Sequence, residues 1–116
     1  MQLSNSCGTV GNINLTYTGI LQLRNGSTTI GSTSTTQALV AGKIYRIGIH
    51  QKQASGGNGV LEAYIAEGDS PFTTSFASSS TETFTTPAIG FRLGATNGSA
   101  LDIILDDVRL DRGTMP

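Results

Sequence analysis

Apolar and polar residues alternate along most of the chain, which is the pattern of β-strands with one buried face. The first clear run is NINLTY, where Ile13, Leu15 and Tyr17 fall on one face and polar residues fall on the other. After a short turn, the run ILQLR places Leu21 and Leu23 on one face. These two runs predict neighbouring strands whose five large apolar side chains point into a core.

The dipeptide Asn25-Gly26 lies directly after the second run and before STTIG. Asn-Gly between two extended runs favours a hairpin, because both central residues of a type I′ turn need positive φ. We therefore expect STTIG to be the partner strand of ILQLR. The polar passage that follows carries no strand pattern of its own.

The longest alternating run is KIYRIGIHQKQ, in which Tyr45, Ile47 and Ile49 are expected to point inward. The glycine-rich stretch ASGGNG, residues 54–59, predicts a hairpin loop, and VLEAYIA after it alternates again. These two runs should form a second hairpin. The Ser/Thr tract that follows the turn at 67–72 predicts an edge strand or a long loop.

Two more runs lie near the C-terminus. IGFRLGA predicts a strand with Ile89, Phe91 and Leu93 on one face, and LDIILDDVRLD, residues 101–111, predicts the last strand. The alternation in this last run slips by one residue at Asp107, as it would at a β-bulge. The carboxylates of the run are then interpreted as the solvent face of a strand.

The composition supports extended chain and opposes helix. The sequence has 12 Ser, 16 Thr and 15 Gly among 116 residues, and β-branched residues and glycine both disfavour helix. Short strands separated by short turns are typical of a sandwich or barrel. We therefore expect an all-β fold in a single domain, residues 1–116.

Charge and hydropathy exclude two classes of partner. Only 13% of residues are charged and the formal net charge is -1, so no basic surface is available to neutralise several phosphates. No apolar run approaches the length of about 18 residues that a membrane span needs. The single cysteine, Cys7, has no partner for an internal disulfide and is interpreted as a solvent-side thiol.

The adjacent carboxylates Asp106 and Asp107 raise the question of a metal site. Calcium takes about six or more oxygen ligands, and Asp111 is the other acidic side chain close by in the sequence. A structural role is therefore favoured over calcium. The alternative is a calcium site at these two residues with Asp69 as a further ligand, and no cofactor is expected.

A pair of facing carboxylates could hydrolyse a sugar by general acid and base catalysis. Glu62 lies on a strand face, and Asp102 with Asp106 could line another, but no sequence feature brings them to one cleft. His50, the only histidine, has no nucleophile motif beside it and is interpreted as a surface residue. The sequence therefore does not predict an enzyme.

A carbohydrate site needs an exposed flat ring and polar groups around it. The chain has no Trp, and Tyr64, beside Glu62 on the polar face of its strand, is the one aromatic ring that the alternation leaves available. Loops 54–59, 67–72 and 96–99 would form the rim of such a site. The candidate ligand-binding residues are Glu62, Tyr64, Asn58, Asp69 and Asn97.

From about Leu21 onward, the chain resembles the concanavalin A-like lectin/glucanase superfamily in its laminin-G-like bacterial and phage branch. The similar segments are LQLRNGSTTI, KIYRIGIHQK, VLEAYIAEGD, FRLGATNGS and the closing DDVRLD. The resemblance implies a jelly-roll sandwich of two antiparallel sheets. Catalytic members carry Glu and Asp in a Glu-x-Asp-x-Glu motif that is missing here. Members usually extend further at the N-terminus, so the resemblance implies either that the chain is a fragment or that another subunit supplies the missing sheet edge.

These observations favour a non-catalytic surface module of an extracellular protein or a virion. An incomplete sheet presents an unpaired edge, which invites strand addition by a neighbour. We therefore expect a homo-oligomer that associates through strand edges or through the sheet bearing Ile13, Leu15, Leu21 and Leu23. The alternative is a lectin-like module whose partners are glycans.

Overall fold

A computed structural model of the protein describes residues 1–5, 8–31, 38–94 and 104–111. Within these ranges the chain forms β-strands and no helix, so the all-β prediction is confirmed. The strands are β1 (Gln2–Asn5), β2 (Gly8–Leu15), β3 (Leu21–Asn25), β4 (Thr28–Thr29), β5 (Tyr45–Lys52), β6 (Ala54–Glu67), β7 (Ser75–Phe84) and β8 (Gly90–Arg92).

The strands form two antiparallel sheets. The first sheet has five strands in the order β4-β3-β2-β1-β8, and the second has three in the order β5-β6-β7. Strands β1 to β4 therefore form one meander and β5 to β7 another, and β8 returns to the first sheet beside β1. The predicted pair of antiparallel sheets is confirmed, and the finer jelly-roll connectivity stays a prediction.

The two sheets share one hydrophobic core. Leu23 of the first sheet and Leu61 of the second are 1% and 0% exposed, because the period-two alternation of β3 and β6 directs their apolar side chains to the same interior. The buried cluster draws on both sheets and consists of Val10, Ile13, Leu21, Leu23, Ile30, Leu61, Ala63, Ala77 and Phe84.

Gly11 in β2 lies at a close approach of the two sheets. A Cβ atom at this position would lie 2.7 Å from Leu61 Cδ1 and 3.4 Å from Ile49 Cδ1. Glycine is the residue that leaves room for these two side chains. Strands β5 and β6 therefore lie directly over β2.

The N-terminal residues form a strand of the first sheet that the alternation did not predict. The first strand was expected at Asn12, but Gln2–Asn5 forms β1 between β2 and β8, and β2 already begins at Gly8. Backbone bonds also join Met1 and Ile13 in both directions, with Ile13 N donating to Met1 O at 2.8 Å. The prediction of a sheet that lacks its N-terminal edge is not supported on this side.

The turns around β3 differ from the expected ones in detail. Tyr17 lies fully exposed in the β2–β3 turn, so its predicted core position is wrong. The β3–β4 hairpin pairs Asn25 with Thr28, which leaves Gly26 and Ser27 as the two central residues. Gly26 has φ 58° and occupies the first central position, where a type II′ turn requires glycine.

The stretch 54–59 is not a loop. It forms the first part of β6, and Ala54 and Gly59 pair with Phe84 and Glu82 of β7. The Ser/Thr tract supplies β7, the edge strand that was one of its two predicted alternatives. The register shifts at several points along this pair, so β7 is a bulged edge.

The C-terminal predictions are wrong in two places. Strand β8 is limited to Gly90–Arg92, and Ile89 lies exposed instead of pointing inward. Residues 104–111 form no strand and are exposed throughout, so neither the last strand nor the bulge at Asp107 is present there. Residues 101–103 of the predicted strand lie outside the described residues.

Candidate functional site

A polar cluster lies on the outer face of the three-stranded sheet, built by His50 of β5 and by Glu62 and Tyr64 of β6. His50 and Glu62 are direct partners across the β5–β6 pair, and His50 Nδ1 lies 2.9 Å from Glu62 Oε2. The Tyr64 hydroxyl donates to the same oxygen at 2.9 Å. One carboxylate oxygen therefore accepts hydrogen bonds from two neighbouring side chains.

The two hydrogen bonds shape the acidity of the cluster. The hydrogen bond from His50 is the main cause that lowers the pKa of Glu62 below its usual 4.5, against partial desolvation. Burial, followed by the hydrogen bond to Glu62, raises the pKa of Tyr64 above its usual value. Glu62 is thus held ionised and Tyr64 protonated, which suits fixed recognition of a polar ligand and opposes the role of a general acid at Glu62.

The turn after β6 folds back over this face and places an aromatic ring beside the cluster. The Phe72 ring lies 5.7 Å from the Tyr64 ring, centroid to centroid, at an angle of 49°. The guanidinium carbon of Arg46 lies 4.9 Å from the Phe72 centroid, within the range of a cation–π contact. Arg46 Nη1 also donates to the Ser70 carbonyl at 3.1 Å, which fixes the turn to β5.

The other predicted site residues do not join the cluster as side-chain ligands. Asn58 is exposed on β6, and Asp69 lies in the β6–β7 turn, where its backbone carbonyl accepts from Arg46 at 3.4 Å. Asn97 lies outside the described residues. Of the five predicted ligand-binding residues, the structure brings together Glu62 and Tyr64.

His50, Arg46 and Phe72 belong to the site but were not predicted as site residues. The alternation had placed His50 and Arg46 on one polar face, and the register of the β5–β6 pair brings His50 opposite Glu62. That register was the missing signal, since same-face neighbours on adjacent strands lie within contact distance. The position of Phe72 depends on the path of the turn, which carries no sequence pattern.

The pH dependence of stability should report the His50–Glu62 contact. Because the folded-state pKa of Glu62 is lowered from 4.5, its ionised form stabilises the fold above that value, and the contribution disappears as the pH falls through the folded pKa. We expect the free energy of unfolding of the wild type to exceed that of Glu62→Gln by less than about 1 kcal/mol near neutral pH, because the pair is partly solvated.

This difference should shrink as the pH falls below 4.5 and through the lowered folded-state pKa of Glu62, as measured by urea unfolding at a series of pH values. Glu67→Gln removes an exposed carboxylate from the same strand, where Glu67 pairs with Lys43 at 2.7 Å, and serves as the control. A difference in free energy of unfolding between the wild type and Glu62→Gln that grows as the pH falls would contradict the stabilising role of ionised Glu62 beside His50.

The candidate calcium ligands are not assembled. Among the described residues, no three His, Cys, Asp or Glu side chains gather as a metal site would require. Asp106 Oδ1 accepts a hydrogen bond from the Asp107 backbone N–H at 2.8 Å, and Asp111 pairs with Arg109 at 2.8 Å. The acidic residues of the tail thus make local contacts with one another and with one arginine.

Calcium should therefore leave thermal stability unchanged. We expect midpoints in millimolar calcium and in a chelator to agree within about 1 °C, since ligand-linked stabilisation requires binding to the folded state. Differential scanning fluorimetry gives the measurement, with magnesium as the matched control. A calcium-specific rise of several degrees would restore Asp69, Asp106 and Asp107 as ligands.

A second candidate site is the outer edge of β5. Within the described residues, β5 pairs with β6 alone, so its other side presents unpaired backbone groups. Strand β5 lies against β2 and β7 lies against β3, whereas β1 and β8 continue the first sheet on the far side of β2. Gln51 of β5 accepts a hydrogen bond from the Ala88 backbone N–H, just before β8, at 3.3 Å. The second sheet therefore covers only part of the first.

The part of the first sheet beyond β5 carries apolar side chains. Leu3 pairs directly with Gly11 on one side and with Phe91 on the other, so all three lie on the inner face of the sheet. Leu3 and Phe91 are only partly buried. The edge of β5 and this half-covered apolar row together form what we name the open corner: β5, Leu3 and Phe91.

No protein-family model, curated protein or solved structure matches the chain. The resemblance to the concanavalin A-like superfamily therefore stays a prediction, and function is argued from geometry. No part of the chain that the structure describes forms a helix long and apolar enough to cross a membrane.

Proposed function

We propose that this protein is a non-catalytic module of an extracellular protein or a virion surface that self-associates through the open corner. The observation that carries the proposal is the mismatch between a five-stranded and a three-stranded sheet, which, among the described residues, leaves the β5 edge unpaired beside Leu3 and Phe91. An additional strand beside β5 would satisfy the edge and cover the apolar row.

Fewer residues are available for association than the sequence predicted. Ile13, Leu21 and Leu23 are buried between the two sheets of one chain and are not available to a partner. Leu15 is partly exposed at the end of β2. Of the two predicted contact modes, strand edges and the apolar sheet face, the geometry favours the edge.

Weak electrostatic repulsion favours association as well. The formal net charge of the chain is -1, so neighbouring copies repel one another little. The jelly-roll connectivity implied by the family resemblance remains part of this proposal. No cofactor is required for the function, and no step of catalysis is assigned to the cluster around Glu62.

Light scattering over a range of micromolar concentrations tests the proposal. We expect the wild type to have a mass above 12.0 kDa and Ile44→Glu to associate about tenfold more weakly, because Ile44 is exposed one residue before β5 and a charged side chain there opposes edge pairing. Tyr17→Glu, which adds the same charge in the exposed β2–β3 turn, is the matched control. A wild-type protein that stays at 12.0 kDa would overturn the proposal.

The second candidate function is carbohydrate binding by a lectin-like module. It is favoured by one observation, the fixed arrangement of Glu62, His50 and Tyr64 beside the Phe72 ring on the outer sheet face. Charged acceptors and aromatic rings are the groups that bind sugar hydroxyls and sugar faces. A glycan array distinguishes the two functions: selective binding that is lost in Glu62→Gln would favour the lectin, and a blank array would favour self-association.

A further inference from the structure

Residues 104–111 carry large apolar side chains that their own chain leaves in solvent. Ile104 is 93% exposed, and Leu105, Val108 and Leu110 are each more than half exposed. Four such residues within eight positions make an apolar segment of the kind that soluble proteins normally cover. The segment therefore offers an apolar surface that a partner could cover.

The same residues have the properties of a strand without being one. Ile, Leu and Val favour pleated, half-buried positions, and Val108 and Leu110 alternate with charged residues so that they would share one face of a strand. The segment spans eight positions, and β5 is also eight residues long. It could therefore pair along the whole edge of β5.

Charge distinguishes β5 from the other strand edges. The segment ILDDVRLD has three aspartates and one arginine, whereas β5, YRIGIHQK, has Arg46, His50 and Lys52 and no acidic residue. The edge strand β7 carries Glu82 and no basic residue, and β4 and β8 are two and three residues long. Among the strands that the structure describes, the β5 edge is the one that offers both the length and the opposite charge.

We propose that residues 104–111 of one copy add as a fourth strand to the β5 edge of a second copy. The added strand would lie over β1 and β8, where Val108 and Leu110 would cover the half-buried Leu3 and Phe91. Main-chain hydrogen bonds to β5 would supply affinity, and the charge pairing would select this edge. This inference rests on the proposed function and names the segment that completes it.

Cross-linking between two single-cysteine variants tests the inference. In a Cys7→Ser background, chains with Val108→Cys are mixed with chains carrying Ile47→Cys in β5, and a short bismaleimide joins nearby thiols. We expect links between positions 108 and 47 to exceed those between 108 and a control Tyr17→Cys by about tenfold or more, because docking raises the local concentration. If Ile47→Cys fails to fold, Lys52→Cys at the exposed end of β5 replaces it.

A chain that carries both Val108→Cys and Ile47→Cys shows whether the added strand comes from the same copy or from a second copy. Linked dimers would support exchange between copies, whereas a link within one chain, at 12.0 kDa in dilute solution, would overturn it. Association in light scattering without the expected excess of 108–47 links would overturn this inference and leave edge association standing. A wild-type protein that is monomeric by light scattering would overturn both.

Discussion

Leu61→Ala is expected to lower the free energy of unfolding by about 3 kcal/mol or more. Leu61 is 0% exposed at the centre of the second sheet and contacts the first sheet above Gly11. Truncation removes its apolar contacts and leaves a cavity between two sheets that strand pairing holds in place. Urea unfolding followed by far-UV circular dichroism measures the change.

The matched control is Leu110→Ala in the exposed tail. Below the concentration at which copies associate, this variant should unfold within about 0.5 kcal/mol of the wild type, since surface truncations rarely exceed that. If Leu61→Ala lowered the free energy of unfolding as little as Leu110→Ala, Leu61 would not be part of a core shared by both sheets.

Gly59→Ala is expected to lower the free energy of unfolding by about 2 kcal/mol, although it adds a single methyl group. A Cβ at Gly59 would lie 2.8 Å from the Glu82 carbonyl oxygen, 2.9 Å from Phe84 Cδ2 and 3.2 Å from the Lys52 carbonyl oxygen. Two of these atoms belong to the backbone of neighbouring strands and cannot move without breaking the pairing. Thermal unfolding of the variant should show a clear loss of stability.

Gly56→Ala provides the control within the same strand. A Cβ there would meet nothing nearer than Asn58 Oδ1 at 3.7 Å, so the substitution should change stability little or raise it slightly by restricting the unfolded chain. Equal effects at both glycines would indicate that residues 54–59 form the flexible loop predicted from the sequence and not the first part of β6.

Alternation predicted the strands whose pattern is strong and local. In β3, β5 and β6 the apolar residues recur at every second position, so the buried positions of Leu21, Leu23 and Leu61 followed directly. Strand β1, QLSN, has a single large apolar residue and forms because β2 and β8 pair with it on both sides. Such a strand is created by tertiary pairing, which leaves no local pattern.

The C-terminal segment shows the opposite case. Residues 104–111 lie within a run whose apolar pattern predicted the last strand, yet the structure leaves them unpaired and exposed. Alternation indicates that a segment has a face to bury, and it does not indicate which surface will cover that face. The same limit applies to the outer-face cluster: Glu62 and Tyr64 share a face by spacing alone, whereas the register of β5 and the path of the turn decide that His50 and Phe72 join them.

Amide hydrogen exchange of β5 at low and high protein concentration tests the central claim, that copies of this protein meet at the β5 edge. The β5 amides that do not bond to β6 should gain protection as the concentration rises, because an added strand accepts their hydrogen bonds. Amides of the short edge strand β4 should not change. Protection in β5 that is independent of concentration, while light scattering shows assembly, would contradict the claim.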